Sequence, residues 1–176
     1  KVTIIPRGMA GGYNLMTPRE ETFVTTKKDF LAKITGLLGG RVAEEVFFDE
    51  QTTGASNDIE RATQIAREMV MTYGMSDLGP IQYEHSSGNV FLGRDYSASR
   101  NYSGQIAFEI DTEVRRLIDT AYDTAKKIVK ENKKLMEDIV DVLIEQETLT
   151  AEQINNIVEG RKFNEFVIPQ VEKESV

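Results

Sequence analysis

The sequence predicts a mainly α protein with a small β-element near its N-terminus and a long-helix hairpin towards its end. Residues Ile106, Ile110, Val114, Leu117, Ala121, Ala125 and Ile128 recur at spacings of three and four. That is the stripe of one amphipathic helix of roughly 28 residues. Leu135, Ile139, Val140, Leu143 and Ile144 form a second stripe beyond Asn132, where a break is expected, and two antiparallel helices would bury both. Strand-like pieces are short and sit between Gly-rich turns, the first of them at the N-terminus.

The overall composition suits such a domain. The chain has 176 residues, 28% charged and 40% hydrophobic, enough for one domain with a core, or one domain plus a tail. Residues 1–160 read as the domain and 161–176 as a polar, partly disordered tail, with Phe163, Phe166, Val167 and Ile168 as a docking patch. The net charge of −8 argues against nucleic-acid binding, which needs a basic field. The absence of cysteine excludes a disulfide framework and thiolate metal sites. No apolar run approaches the length of a membrane span. The chain opens in mid-strand at Lys1-Val2-Thr3-Ile4-Ile5 without an initiator Met, so it reads as a fragment of something longer.

In chain order, residues 2–5 and 12–16 are expected as strands around a turn containing Gly8, Gly11 and Gly12. Gly11-Gly12 serves as a turn or allows a ligand or peptide close to the backbone. A helix follows from Lys27 to Phe47, started by Thr26 with Asp29 and striped by Phe30, Ile34, Leu37, Leu38 and Val42. Gly39-Gly40 inside it costs about 2 kcal/mol relative to two alanines, which points to close packing or a break. Glu44-Glu45 near its end opposes the helix dipole and is expected as solvated charge. A second helix spans 57–73 and stops at Gly74. Pro80–Tyr83 and Asn89–Leu92 look like short strands, 94–102 like a loop, and the single histidine, His85, like a surface residue. Thr150 with Gln153 caps a last short helix closed by Gly160.

One charge stands out against this pattern. Advancing about 100° per residue, Ile59, Ala62, Ile65, Ala66, Met69, Val70 and Tyr73 fall in one arc, and Asp58 falls inside it. Ser56 or Asn57 is placed to cap this helix, and Asn57 with Glu60 approximates a capping box. A carboxylate on a buried stripe must be paired, hydrogen-bonded or bound to metal. The plain alternative is a first-turn Asp satisfied by free amides and favoured by the helix dipole. The residues alone leave both open. No nucleophile elbow, phosphate loop or Cys–His pair is present, and one histidine cannot make an HExxH motif.

Lys1–Gly8 (KVTIIPRG), Gly36–Glu45 (GLLGGRVAEE), Thr53–Thr63 (TGASNDIERAT) and Val90–Arg94 (VFLGR) resemble, in order and spacing, the peptidase domain of the FtsH family. The resemblance runs from Lys1 to about Gly160. These are membrane-anchored, ATP-dependent zinc metalloproteases of the AAA+ type, and the resemblance implies a helical peptidase domain. It implies that Asp58, the aspartate of the SND segment, is the third zinc ligand. The other two are histidines of an HExxH helix upstream, whose glutamate is the general base, so no catalytic residue is expected within these residues. Three protein donors leave one zinc position open for water. Glu44, the first glutamate of the GGRxAEE segment, would support the zinc ligands from behind. A continuous helix places Glu45 nearer the apolar face, and Gly39-Gly40 could reset that phase.

The resemblance further implies a homohexamer on the cytoplasmic face of the cell membrane, anchored by segments absent from this sequence. Its AAA+ module, also absent, would bind ATP and feed in unfolded polypeptide, including misfolded membrane proteins. Substrate is expected to add as a strand at Gly12, Tyr13 and Asn14. A fragment without HExxH is expected to be inactive and could be free of zinc. The competing class is a non-catalytic helical interaction or assembly domain in which Asp58 only stabilises a helix start.

Overall fold

The structure, a computed structural model, describes residues 1–6, 8, 11–15, 24–83 and 102–160. It is mainly helical, as expected, and its contacts divide the chain into two compact units. One runs from Thr22 to Glu131; the other combines Lys1–Glu21 with Asn132–Val176.

The first unit holds three long helices. Helix α1 spans Lys27–Phe48 and starts with a full capping box: Thr26 accepts from the Asp29 amide, and Asp29 accepts from the Thr26 amide. The helix runs unbroken through Gly39-Gly40, so no phase reset occurs. A Cβ at either glycine would meet nothing within 4 Å, so neither a break nor close packing to a described residue accounts for the pair. The helix persists because Ile34, Leu38 and Val42 are buried on its other side, each contributing about 1.5–3 kcal/mol.

A 3-10 turn at Thr53–Ala55 leads into α2, Ser56–Met71. The expected cap at Ser56 or Asn57 is not the one used. Ala55 holds the N-cap position, and the capping side chain is Thr52, one element earlier, accepting from the Gly54 amide at 3.1 Å. Ala62, Ile65, Ala66, Met69 and Val70 are buried as their spacing requires. Tyr73, expected on the same arc, is half exposed and stacks on Phe30 with ring centroids 5.4 Å apart.

Helix α3 spans Gly104–Glu131, the predicted length. Its stripe holds from Ile110 to Ala125 but ends on Val129; Ile128 is 49% exposed. What covers this stripe is α1 and α2, with Ile34, Met69 and Leu117 in one continuous core. Pro80–Tyr83 is not a strand: Tyr83 returns to α2 through its amide, bonded to the Met71 carbonyl at 2.8 Å. Asn89–Leu92, His85, most of the 94–102 segment and the 161–176 tail lie outside the described residues.

In the second unit β1 (Val2–Thr3) and β2 (Tyr13–Asn14) form the expected antiparallel pair, shorter than predicted. Helix α4 spans Lys133–Gln146, beginning after Asn132 as anticipated. It leads into β3 (Thr148–Leu149) and α5 (Ala151–Val158), the latter with the predicted Thr150–Gln153 capping box. Strand β3 has no counterpart in the sequence reading. It pairs antiparallel with β1, giving the order β2-β1-β3. Of the α4 stripe, Leu143 is buried, whereas Val140 and Ile144 are 49% and 65% exposed. The side that α4 turns to β3 and α5 is narrower than the stripe.

Candidate metal-ligand site

Asp58 occupies the first turn of α2, six residues after Thr52. It is half-buried, at the end of the stripe that continues through Ala62, Ile65 and Ala66, so it is less enclosed than the arc implied. Among the described residues its carboxylate has no hydrogen-bond or ion-pair partner. It therefore does not serve as a capping side chain.

Glu44 and Glu45 follow one another on α1 and face different partners. Glu44 turns to the turn before α2. The Thr52 amide donates to its Oε2 at 3.2 Å, the Thr52 hydroxyl donates to its Oε1, and Arg41 pairs with it at 3.1 Å. These donors, Thr52 first, hold the Glu44 carboxyl below its usual range. Glu45 turns instead to α3, accepting from Lys126 and Tyr122. Lys126, then Tyr122, lowers its pKa, while the bond to Glu45 pushes the Tyr122 hydroxyl up to about 12. Neither glutamate is simply solvated charge. The unbroken helix explains the split, since consecutive residues point about 100° apart.

Gly12, Tyr13 and Asn14 lie in the other unit, at the sheet edge. Gly12 does permit a close approach, but to its own neighbour: a Cβ there would stand 2.5 Å from the Thr3 carbonyl oxygen. Leu15 and Lys1 exchange both backbone bonds, at 2.8 and 3.0 Å. The next opposed pair, Asn14 with Val2, is thus of the non-bonded type, and the Asn14 N–H and C=O point to the outer edge. Nothing among the described residues pairs there. A shallow cavity of about 310 Å³ opens on the same sheet, lined by Lys1, Thr3, Ile5, Pro6, Tyr13 and Thr148.

No group of three His, Cys, Asp or Glu that could hold a metal ion exists among the described residues. Asp58 is one donor, and a zinc site needs at least three from protein. Two residues of the Asp58 neighbourhood escaped the sequence reading, Arg41 and Thr52. Thr52 carried a weak signal as a threonine two residues before a glycine and ahead of a helix, where such side chains cap turns. Arg41 carried only the i, i+3 spacing to Glu44; its bond to the Thr52 carbonyl, eleven positions away, left no local trace.

Comparison with known proteins places these features in a family. The profile of Peptidase family M41 matches residues 1–157. A protein from Acholeplasma laidlawii, named ATP-dependent zinc metalloprotease FtsH, is 54% identical over 99% of this chain and 27% of its own length. The protein of that name from Bacillus subtilis is 55% identical over 90% of this chain and 25% of its own. The chain thus spans about a quarter of the length of the curated relatives it matches. A family match over residues 1–157, joined to identities above one half across nearly all of the chain, shows that it belongs to peptidase family M41.

Proposed function

We propose that the chain is part of the proteolytic domain of an ATP-dependent zinc endopeptidase, and that Asp58 is the third protein ligand of its zinc. The observation that carries this reading is Asp58 itself, a half-buried carboxylate at the first turn of a packed helix, with no partner among the described residues. Family membership and the relatives' names support it. Among the described residues no donor set completes a zinc site, and one histidine cannot supply an HExxH pair. The remaining ligands and the general base therefore belong to residues outside these 176, and we derive no catalytic step from this chain alone.

Around that ligand the other roles follow. Glu44 supports the site through the turn that starts α2. An extended, unfolded polypeptide adds as a strand at Gly12–Asn14, where Asn14 offers an outward N–H and C=O. Residues 1–160 constitute the chain's share of the peptidase domain. In the intact protein we assign a homohexamer on the cytoplasmic face of the membrane, with ATP bound by a separate AAA+ module. Among the described residues no helix is long and apolar enough to cross a membrane, so anchoring falls to other segments.

The test is Asp58→Ala in a form of the protein that carries the HExxH segment. Bound zinc, by metal analysis, and hydrolysis of an unfolded casein should both be lost while far-UV circular dichroism is unchanged. Retained zinc and activity would remove Asp58 from the ligand set. An upstream sequence without HExxH would leave the chain as a non-catalytic helical interaction domain. The 176-residue chain alone should not cleave casein with or without added zinc.

A further inference from the structure

Thr52 uses every polar group it has on two side chains of α1 and on its own turn. Its amide donates to Glu44 Oε2 at 3.2 Å, and its carbonyl accepts from Arg41 Nη2 at 2.7 Å. Its hydroxyl donates to Glu44 Oε1 and accepts from the Gly54 amide at 3.1 Å. Arg41 and Glu44 stand three residues apart on α1 and are themselves paired at 3.1 Å. Gly54 is drawn in so far that a Cβ there would sit 3.2 Å from the Thr52 hydroxyl oxygen and 3.8 Å from Glu44 Oε1.

This latch lies where α2 lacks a cap of its own. Ala55 is the N-cap and offers no side-chain acceptor, while Ser56 and Asn57 are exposed. Ala55 is buried, and the Thr52 bonds tie the turn to α1. Thr52 is exposed, while the Arg41 and Glu44 side chains that hold it are 15% and 22% exposed, so the latch acts first on the local order of the turn. A helix end without such partners frays, and Asp58 is in the first turn that fraying would reach.

We infer that Arg41 and Thr52 are positioning residues: they latch the turn before α2 onto α1 and thereby hold the Asp58 carboxylate in place. This inference rests on the reading of Asp58 as a metal ligand only for its consequence, not for the latch. The latch is tested on the 176-residue chain by residue-resolved amide exchange of Thr52→Val, Thr52→Ser and Arg41→Met. Removing the hydroxyl or the guanidinium should speed exchange of the amides from Gly54 to Glu60 at least tenfold and leave Ile65–Val70 unchanged. The serine variant should stay within about twofold of the parent, since it keeps the hydroxyl. Unchanged exchange at 54–60 in Thr52→Val, or equal acceleration at 65–70, would overturn the latch.

The consequence is read separately in the longer protein with its HExxH segment, by zinc competition against a chelator. Thr52→Val should weaken zinc about 10-fold, within the span usual for groups that orient metal ligands, and Thr52→Ser should not. If Asp58→Ala leaves zinc affinity intact, the ligand reading fails while the exchange result still decides the latch. If Asp58→Ala abolishes zinc binding but Thr52→Val leaves both exchange and affinity unchanged, the latch alone fails.

Discussion

Between Thr22 and Glu131, Ile34, Met69 and Val70 are completely buried where three helices meet. In the unit built from residues 1–21 and 132–176, among the described residues, one large side chain reaches that state, Leu149. That unit relies instead on polar closure. Thr3, 4% exposed, donates through its hydroxyl to the Glu147 carbonyl at 3.0 Å, meets the Thr148 hydroxyl at 2.7 Å and accepts from the Ile5 amide at 3.2 Å. The helical unit draws its stability from apolar area spread over long stripes. The strand unit draws it from a few directed bonds, two of them between residues 144 and 145 positions apart. Area tolerates small errors, whereas directed bonds between distant residues do not.

The largest effects should come from cutting into each core. Met69→Ala and Leu149→Ala should each cost about 2–5 kcal/mol, read by urea unfolding. Amide exchange sharpens the contrast. Met69→Ala should accelerate α1, α2 and α3, and Leu149→Ala should accelerate β1, β2 and β3. Equal acceleration of all elements in both variants would show that the two units open as one.

Next in size is Thr3→Val, which keeps shape but leaves the Ile5 amide and the Thr148 hydroxyl without their partner. A cost of about 1–3 kcal/mol is expected, with Thr3→Ser much milder. Among its described residues the helical unit holds a comparable polar staple. Glu113, its side chain 11% exposed, accepts from Arg116 at 2.9 and 2.8 Å and from the Asp77 amide at 3.1 Å.

In the helical unit that staple and the Glu45–Tyr122 bond each tie stability to pH. Arg116 foremost holds the Glu113 carboxyl below its ordinary 4.5. Its contribution is therefore present above about pH 4.5 and lost as pH falls through the lower folded value. The Tyr122 hydroxyl, raised from 10.0 to about 12, contributes fully below pH 10 and loses its contribution as pH climbs towards 12. Glu113→Gln should flatten the acid limb of a stability–pH curve and Tyr122→Phe the alkaline limb. A wild-type slope persisting in either variant would show that other groups control that limb.

The smallest effect concerns the backbone. Glu147 caps α4 at φ 56° and Asp49 caps α1 at φ 54°, both left-handed. Glycine at either position should stabilise by up to ~1 kcal/mol, seen as a small rise in melting temperature. A larger gain at Glu147 would mean that the connection into β3 carries the greater strain.

Much of the helical structure of both units was legible from local signals. Thr26 with Asp29, the Ile110–Ala125 repeat and Thr150 with Gln153 each act within one or two turns, so they can be read without knowing the fold. Asp58 was legible for the same reason, as a charge on an apolar arc. The cap of α2 was misplaced because Ser56 and Asn57 are good caps in isolation, whereas the turn was already taken by Thr52. Gly39-Gly40 misled because propensity was weighed without the opposite face of the helix, where Ile34, Leu38 and Val42 are buried.

Period and capping chemistry within the chain thus placed its helices and put Asp58 at the start of α2, and turn signals placed the β1–β2 pair, but not its length or the cap of α2. They work at a range of three or four residues, over which the chain's geometry is nearly invariant. The pairing of β3 with β1, the separate partners of Glu44 and Glu45, and the latch of Thr52 onto Arg41 depended on the folded chain. Each joins groups from 8 to 145 positions apart. Which distant groups meet depends on how whole helices pack, and no local pattern carries that information.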